Sequence, residues 1–314
     1  MIEVLKPGLL TTVQDAGRFG WRACGMPVAG AMDRRAYALA NLLAESAPGA
    51  AALEMTLLGA TLRFETSAYV AIGGADLQPV LDGRKVRTWS AFPVAAGSVL
   101  ACGSAQAGAR AYLAVRGGVE VPLVMGSRST YARAAVGGLA GRPLRAGDRL
   151  PIGRADERPS APRRLAPAAV PSYASDVSLR VILGPQDDRF TSRGIATFLG
   201  ATYVVTARND RMGYQLEGPA IEHAHGPDIV SDALCPGAVQ VPGNGRPIVM
   251  AVDAQTVGGY AKIATVVGPD LAWLAQARQG DRVRFAAVTI DEAVAAAREE
   301  REQFERLRAA LGQR

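Results

Sequence analysis

Histidine, cysteine, lysine and aromatic residues are all scarce in this chain, and each scarcity argues against a class of function. Two histidines stand among 314 residues, both in Glu222-His-Ala-His225. A Ser-His-Asp triad would have to take its base from that one segment, which argues against a serine hydrolase. On a strand, alternation would turn both rings to one face. That spacing can hold zinc with Asp228 as a third ligand, but two polar residues on a strand face is the plainer reading, and no metal site is assigned. Cys24, Cys102 and Cys235 are odd in number, far apart and without a CxxC. This argues for thiols in a reducing compartment and against a disulfide framework. Aromatics make up only 6%, and no basic stripe interleaves with them, so the net charge of +6 does not point to nucleic acid.

Other absences narrow the field further. There is no Gly-x4-Gly-Lys-Ser/Thr phosphate loop, and no dinucleotide fingerprint in a strand–turn–helix context. The start, MIEVLKPGLLTTVQD, lacks the basic and apolar regions of a signal peptide. No apolar run reaches the ~18–20 residues that span a bilayer. The expected location is cytoplasmic, with no membrane partner. Lys6, Lys85 and Lys262 lack the flanking methionines of a biotin acceptor, so any biotin is carried elsewhere.

What is present points to a mainly β protein. Hydrophobic residues at 49% and charged residues at 20% predict a packed core, while 35 glycines and 19 prolines suit many turns. Short apolar runs recur: ATLRF, YVAIGG, SVLACG, RAYLAVRGG, LRVILG, TYVVTA, AVQVP, PIVMAV, KIATVV and RVRFAAV. Their length and β-branched content predict strands. Helices are expected over 31–43, over 188–199 ending at Gly200 as a C′ residue, and over 291–311. The last would bury Val294, Ala297, Phe304, Leu307 and Leu311.

Residues 154–173, with four prolines, read as a stiff solvated join. The expected organisation is a β domain over 1–155, a Pro-rich linker over 156–175, a second β domain over 176–290 and a C-terminal helix over 291–314. The halves echo each other. Arg18-Phe-Gly-Trp and Arg211-Met-Gly-Tyr both open an R-x-G-aromatic-x3-G pattern, and a Gly-Asp-Arg-apolar turn recurs at Gly147 and Gly280.

Three segments carry chemistry. Gly126-Ser-Arg-Ser-Thr-Tyr131 offers Ser127, Arg128 and Ser129 as donors to a carboxylate or phosphate, or forms an ordinary turn. In Thr11-Thr-Val-Gln-Asp-Ala-Gly-Arg18, Gln14, Asp15 and Arg18 fall together, and Asp33 leads into the first helix. These groups can orient a polar substrate, or pair internally to fix a loop. Asp253-Ala-Gln-Thr-Val-Gly-Gly-Tyr-Ala-Lys262 is read as a polar loop between two strands. Gln255 and Thr256 can bond an amide, and Gly258 and Gly259 permit close approach or positive φ. Tyr260 can stack, and Lys262 can meet a carboxylate or oxyanion.

Taken together, VQDAGRFGW, GMPVAGAMD, GGADL, RAYLAVRGG, GSRSTY, GDRLPIG, RMGYQLEGP, GAVQVPGNGRPI and DAQTVGGYAKIATV resemble, in order, the biotin-dependent carboxyltransferase family. In particular they resemble the 5-oxoprolinase C subunit, also labelled allophanate hydrolase subunit 2. The resemblance implies two cyclophilin-like β-barrel domains and ATP-dependent opening of 5-oxo-L-proline to glutamate. It also implies the 5-oxoprolinase B subunit, with the A subunit, as partners, and ATP with magnesium acting through the complex. Lys262, Asp15 and Arg18 become the implied catalytic residues. Gln255, Thr256, Gly258, Gly259, Tyr260, Gln14 and Asp33 become the substrate-binding ones. The family loop usually reads QTTGGYPK; here Val257 and Ala261 replace the threonine and the proline. The alternatives are carboxyl transfer to a urea-like amide with biotin on another chain, and a non-catalytic regulator of a partner protein.

Overall fold

The computed structural model describes residues 1–155 and 162–312. Of the expected 156–175 linker, 156–161 lies outside the described residues. The chain divides into two compact units. One comprises Met1–Phe19, Ala29–Tyr173 and Leu307–Arg314, the other Gly20–Val28 and Ala174–Arg306. Each of the ten apolar runs named above overlaps a strand.

In the first unit two sheets share one core. One runs in the order Arg149–Leu150, Ile2–Lys6, Thr61–Phe64, Val99–Ala101, Val80–Leu81 and Arg84–Lys85. The other runs Leu10–Gln14, Ala52–Thr56, Arg110–Val115, Ala68–Gly74 and Ser90–Val94. Ile2, Leu62, Phe64 and Leu100 from the first meet Leu53, Met55, Ile72 and Leu113 from the second, all fully buried. Helix α1 (Arg34–Leu43) covers the second sheet. It starts later than 31 because Asp33 takes an extended N-cap conformation, φ −96° and ψ 90°; the N–H groups of Ala31 and Met32 before it bond the Asp15 carbonyl and the Glu54 carboxylate. Asp33 then caps it, accepting from Ala36 N at 2.8 Å. Beyond the undescribed stretch most of the join is exposed, with two buried anchors. Arg163 is buried and paired with Glu45, and Leu165 N donates to Trp89 O.

The second unit is a closed seven-strand barrel. Its order is Asp176–Leu183, Lys262–Val266, Ala238–Gln240, Ile248–Met250, Gly213–Glu217, Tyr203–Asn209 and Arg282–Ala287. The last strand closes on the first in parallel. Phe285 stacks on Phe198 of α2 (Ser192–Gly200) at 4.4 Å between centroids. That helix begins at its Thr191 cap rather than at 188, and Gly200 is its last residue rather than a C′. A short α3 (Leu271–Gln276) follows the barrel strand that ends at Val266. Helix α4 (Ile290–Ala310) opens on a capping box between Thr289 and Glu292. Its expected stripe is corrected at one end: Val294 and Ala297 are exposed and Ala296 is buried instead.

The Gly-Asp-Arg echo is structural. Asp148 accepts from Arg145 N at 2.7 Å, and Asp281 from Arg278 N at 2.8 Å. Gly147 and Gly280 both have positive φ. Each turn then exchanges two backbone bonds with one strand residue of its own unit, Val4 in the first and Val205 in the second.

Candidate functional site

The site residues expected from sequence fall into two clusters, one in each unit. In the first, the Asp15 carboxylate is the centre. Its Oδ1 accepts from Gly17 N at 2.8 Å, Ser127 Oγ at 2.7 Å and Ser129 Oγ at 2.5 Å, and its Oδ2 accepts from Arg128 N at 2.6 Å. The 126–131 loop thus holds a carboxylate, and that carboxylate is the protein's own. Ser127 and Ser129 are fully buried, with hydroxyls committed to Asp15. Arg18, also fully buried, donates from Nε to Val124 O and from Nη2 to Ser129 O. A Cβ on Gly137 would stand 2.1 Å from that same Ser129 oxygen, so only glycine fits against the loop. Gln14 donates to Thr12 Oγ1 and Thr130 O. Asp33 lies near, through the 31–33 backbone, but its carboxylate caps α1. Its N–H donates to Tyr112 Oη, which in turn donates to Glu54 Oε2 at 2.8 Å. Burial, then the neighbouring Glu54 carboxylate, pushes the Tyr112 phenol well above its ordinary range, so it stays a donor.

In the second unit the expected loop is largely a strand. Val257–Tyr260 pairs antiparallel with Asp228–Ala233 in a two-stranded ribbon, bulged between Asp228 and Asp232. Neither Gly258 nor Gly259 has positive φ. A Cβ on Gly258 would lie 2.7 Å from both Gln240 Nε2 and Leu234 Cδ1, so this glycine admits protein side chains against the backbone. Gly259 is less crowded, with no atom closer than 3.7 Å. Gln255 is exposed and Thr256 buried, its carbonyl accepting from Leu234 N. Val257 and Tyr260 face solvent.

Lys262 opens the next barrel strand. Its side chain is only 4% exposed, and Nζ reaches Asp232 Oδ2 at 2.7 Å. Gln186 Nε2 donates to the same oxygen at 3.2 Å, and Gln186 Oε1 accepts from Lys262 N at 3.1 Å. The Lys262 bond, with Ala233 N–H and Gln186, holds the Asp232 carboxyl below the usual carboxylate range. Asp253 forms a two-pronged buried pair with Arg211, at 2.9 and 3.0 Å, tying the start of the segment to the second R-x-G motif.

Asp232 and Gln186 had no signal in the sequence: they stand 30 and 76 residues from Lys262. The 222–225 segment is not a strand, so the alternation argument for its histidines lapses. His223 Nε2 lies 2.9 Å from Val241 O and its ring packs on Phe190, while His225 is exposed. Among the described residues no three His, Cys, Asp or Glu side chains gather to hold a metal.

The carboxyltransferase domain family, subdomain A and B, matches residues 24–287. The chain belongs to that family. Over 98% of its length and 97% of the relative's, it is 39% identical to the 5-oxoprolinase C subunit of Escherichia coli. It is 36% identical to the 5-oxoprolinase C subunit of Haemophilus influenzae, over 93% of each chain. In structure it resembles Kluyveromyces lactis urea carboxylase, with a TM-score of 0.91 at 30% identity. That match covers 98% of this chain and 29% of the larger protein. The mainly β, barrel-containing fold is therefore the carboxyltransferase fold.

Proposed function

We propose that this chain is the C subunit of an ATP-dependent 5-oxoprolinase, which opens 5-oxo-L-proline to L-glutamate. Its active site is completed by the B subunit, and the A subunit joins the same complex. What carries the reading is end-to-end likeness: this family member matches 97% of the E. coli protein at 39% identity. A lactam carbonyl is a poor electrophile, and its opening needs donors where negative charge builds on oxygen. Lys262 supplies them, because an ammonium has three N–H bonds and one goes to Asp232. The exposed Tyr260 and Gln255 flank it in sequence and offer further polar contacts.

Magnesium-ATP does not fit the Asp15 cluster. The Asp15 carboxylate is filled by protein donors, and no metal-holding group of three occurs among the described residues. The nucleotide is assigned to the complex. No helix among the described residues is long and apolar enough to cross a membrane; a cytoplasmic site of action is part of the proposal. The test is co-purification with the B and A subunits, followed by 5-oxoproline-dependent ATPase and glutamate assays. The assembled complex should turn over while the single chain does little. Full activity from the chain alone, or none from the complex, would overturn the reading.

The likeness to urea carboxylase favours a second reading, carboxyl transfer to a urea-like amide from biotin on another protein. It requires avidin-sensitive turnover, which the first reading does not.

A further inference from the structure

Lys262 differs from the chain's other two lysines. Lys6 and Lys85 are exposed, whereas the Lys262 side chain is 4% exposed. An ammonium buried without a counter-charge tends to lose its proton, with pKa values falling by up to roughly 3–5 units. The groups around Lys262 are few. The ribbon brings Asp232, half exposed, onto Nζ at 2.7 Å, and Asp228 lies farther along it, opposite Tyr260. The neighbouring barrel strand opposes Lys262 with Gln240, which is uncharged. The turn at 184–189 brings Gln186, followed by Asp187 and Asp188. Gln186 is bound at both ends of its amide, to Lys262 N and to Asp232 Oδ2, and its own N–H donates to Lys262 O at 3.1 Å.

We infer that Asp232 and Gln186 are the positioning residues of Lys262: Asp232 keeps the ammonium charged where water scarcely reaches, and Gln186 fixes the direction of the pair. Because Asp232 also cancels the lysine's charge, the site offers N–H donors from a neutral ion pair. Such a pair suits the oxygen of an uncharged N–C=O group better than it suits a free anion. The catalytic consequence rests on the proposed function; the ring of three residues does not.

Three lysines make the test direct. Full-length protein labelled with 13C at lysine Cε gives three titrating signals, with Lys6 and Lys85 as exposed references that also report folding. The signal to follow is that of Lys262. Asp232→Asn should lower its midpoint by about one unit or more, Asp232→Glu should restore it, and Gln186→Leu should shift it by less. An unchanged Lys262 midpoint in Asp232→Asn would overturn the inference. In the assembled complex, Asp232→Asn should lower kcat tenfold or more with a smaller effect on KM, and should move the alkaline limb of the pH profile down. A wild-type complex inactive on 5-oxoproline would sink the functional reading while the titration still decides the positioning one.

Discussion

Replacing Asp15 by asparagine should destabilise the first unit by about 2–4 kcal/mol. The side chain is 7% exposed and accepts four hydrogen bonds, three on Oδ1 and one on Oδ2. An amide keeps a single acceptor oxygen. Placed at Oδ1 it retains three bonds, each weakened from charge-assisted to neutral, a class difference of about 1 kcal/mol apiece at most. Its NH2 would then face the Arg128 N–H, leaving a donor against a donor. That unmet pair adds about 1–3 kcal/mol, while local adjustment offsets part of the total. Urea denaturation of the full chain measures the midpoint, and hydrogen exchange of peptides covering 124–138 localises the loss. The alternative, in which Asp15 orients substrate, predicts lost activity with stability unchanged. A midpoint shift worth less than about 0.5 kcal/mol, with protection at 127–130 intact, would refute the structural role.

Three further outcomes are expected. Cys24 and Cys235 should react with an aromatic disulfide reagent in the folded protein, and Cys102 only on unfolding, since it is buried and its thiol is pushed up to about 12 by desolvation. Tyr112→Phe should cost about 1–3 kcal/mol in urea denaturation, because it strips a donor from buried Glu54 and an acceptor from Asp33 N–H together. The Lys262–Asp232 contact should tolerate acid. A carboxyl whose folded pKa is depressed contributes its stability fully above the unfolded value, near ~3.9, and loses it as pH falls through the lower folded value. The Lys262 Cε signal should therefore hold steady down to about pH 4 and move only below it.

The strands were legible because their apolar runs are continuous and bounded by turn residues. The barrel strand 282–287 alternates buried Val283 and Phe285 with exposed neighbours, as its sequence does. Val257–Tyr260 was not legible. Two glycines weaken its strand signal, and its paired residues lie 24 to 32 positions upstream, so only the tertiary ladder reveals it. Asp15 and Arg18 both bond the 124–129 region, and those partners were not legible. The carboxylate takes hydroxyls and an N–H from a loop more than 110 residues away, and the guanidinium takes carbonyls from the same region. Composition in one segment cannot encode such partners. The helix starts slipped because the caps Asp33 and Thr191 take extended backbone conformations that apolar spacing does not mark.

The assignment of Gly20–Val28 to the unit built mainly from Ala174–Arg306 bears on how the chain is made. At roughly 5–20 residues per second on the ribosome, this nonapeptide emerges on the order of ten seconds or more before its own unit is complete. Its flanks on either side are meanwhile free to join the other unit. Folding of the two units is thus interleaved in time, and separating them by cutting the gene after Tyr173 would leave the barrel-containing piece without part of its native complement.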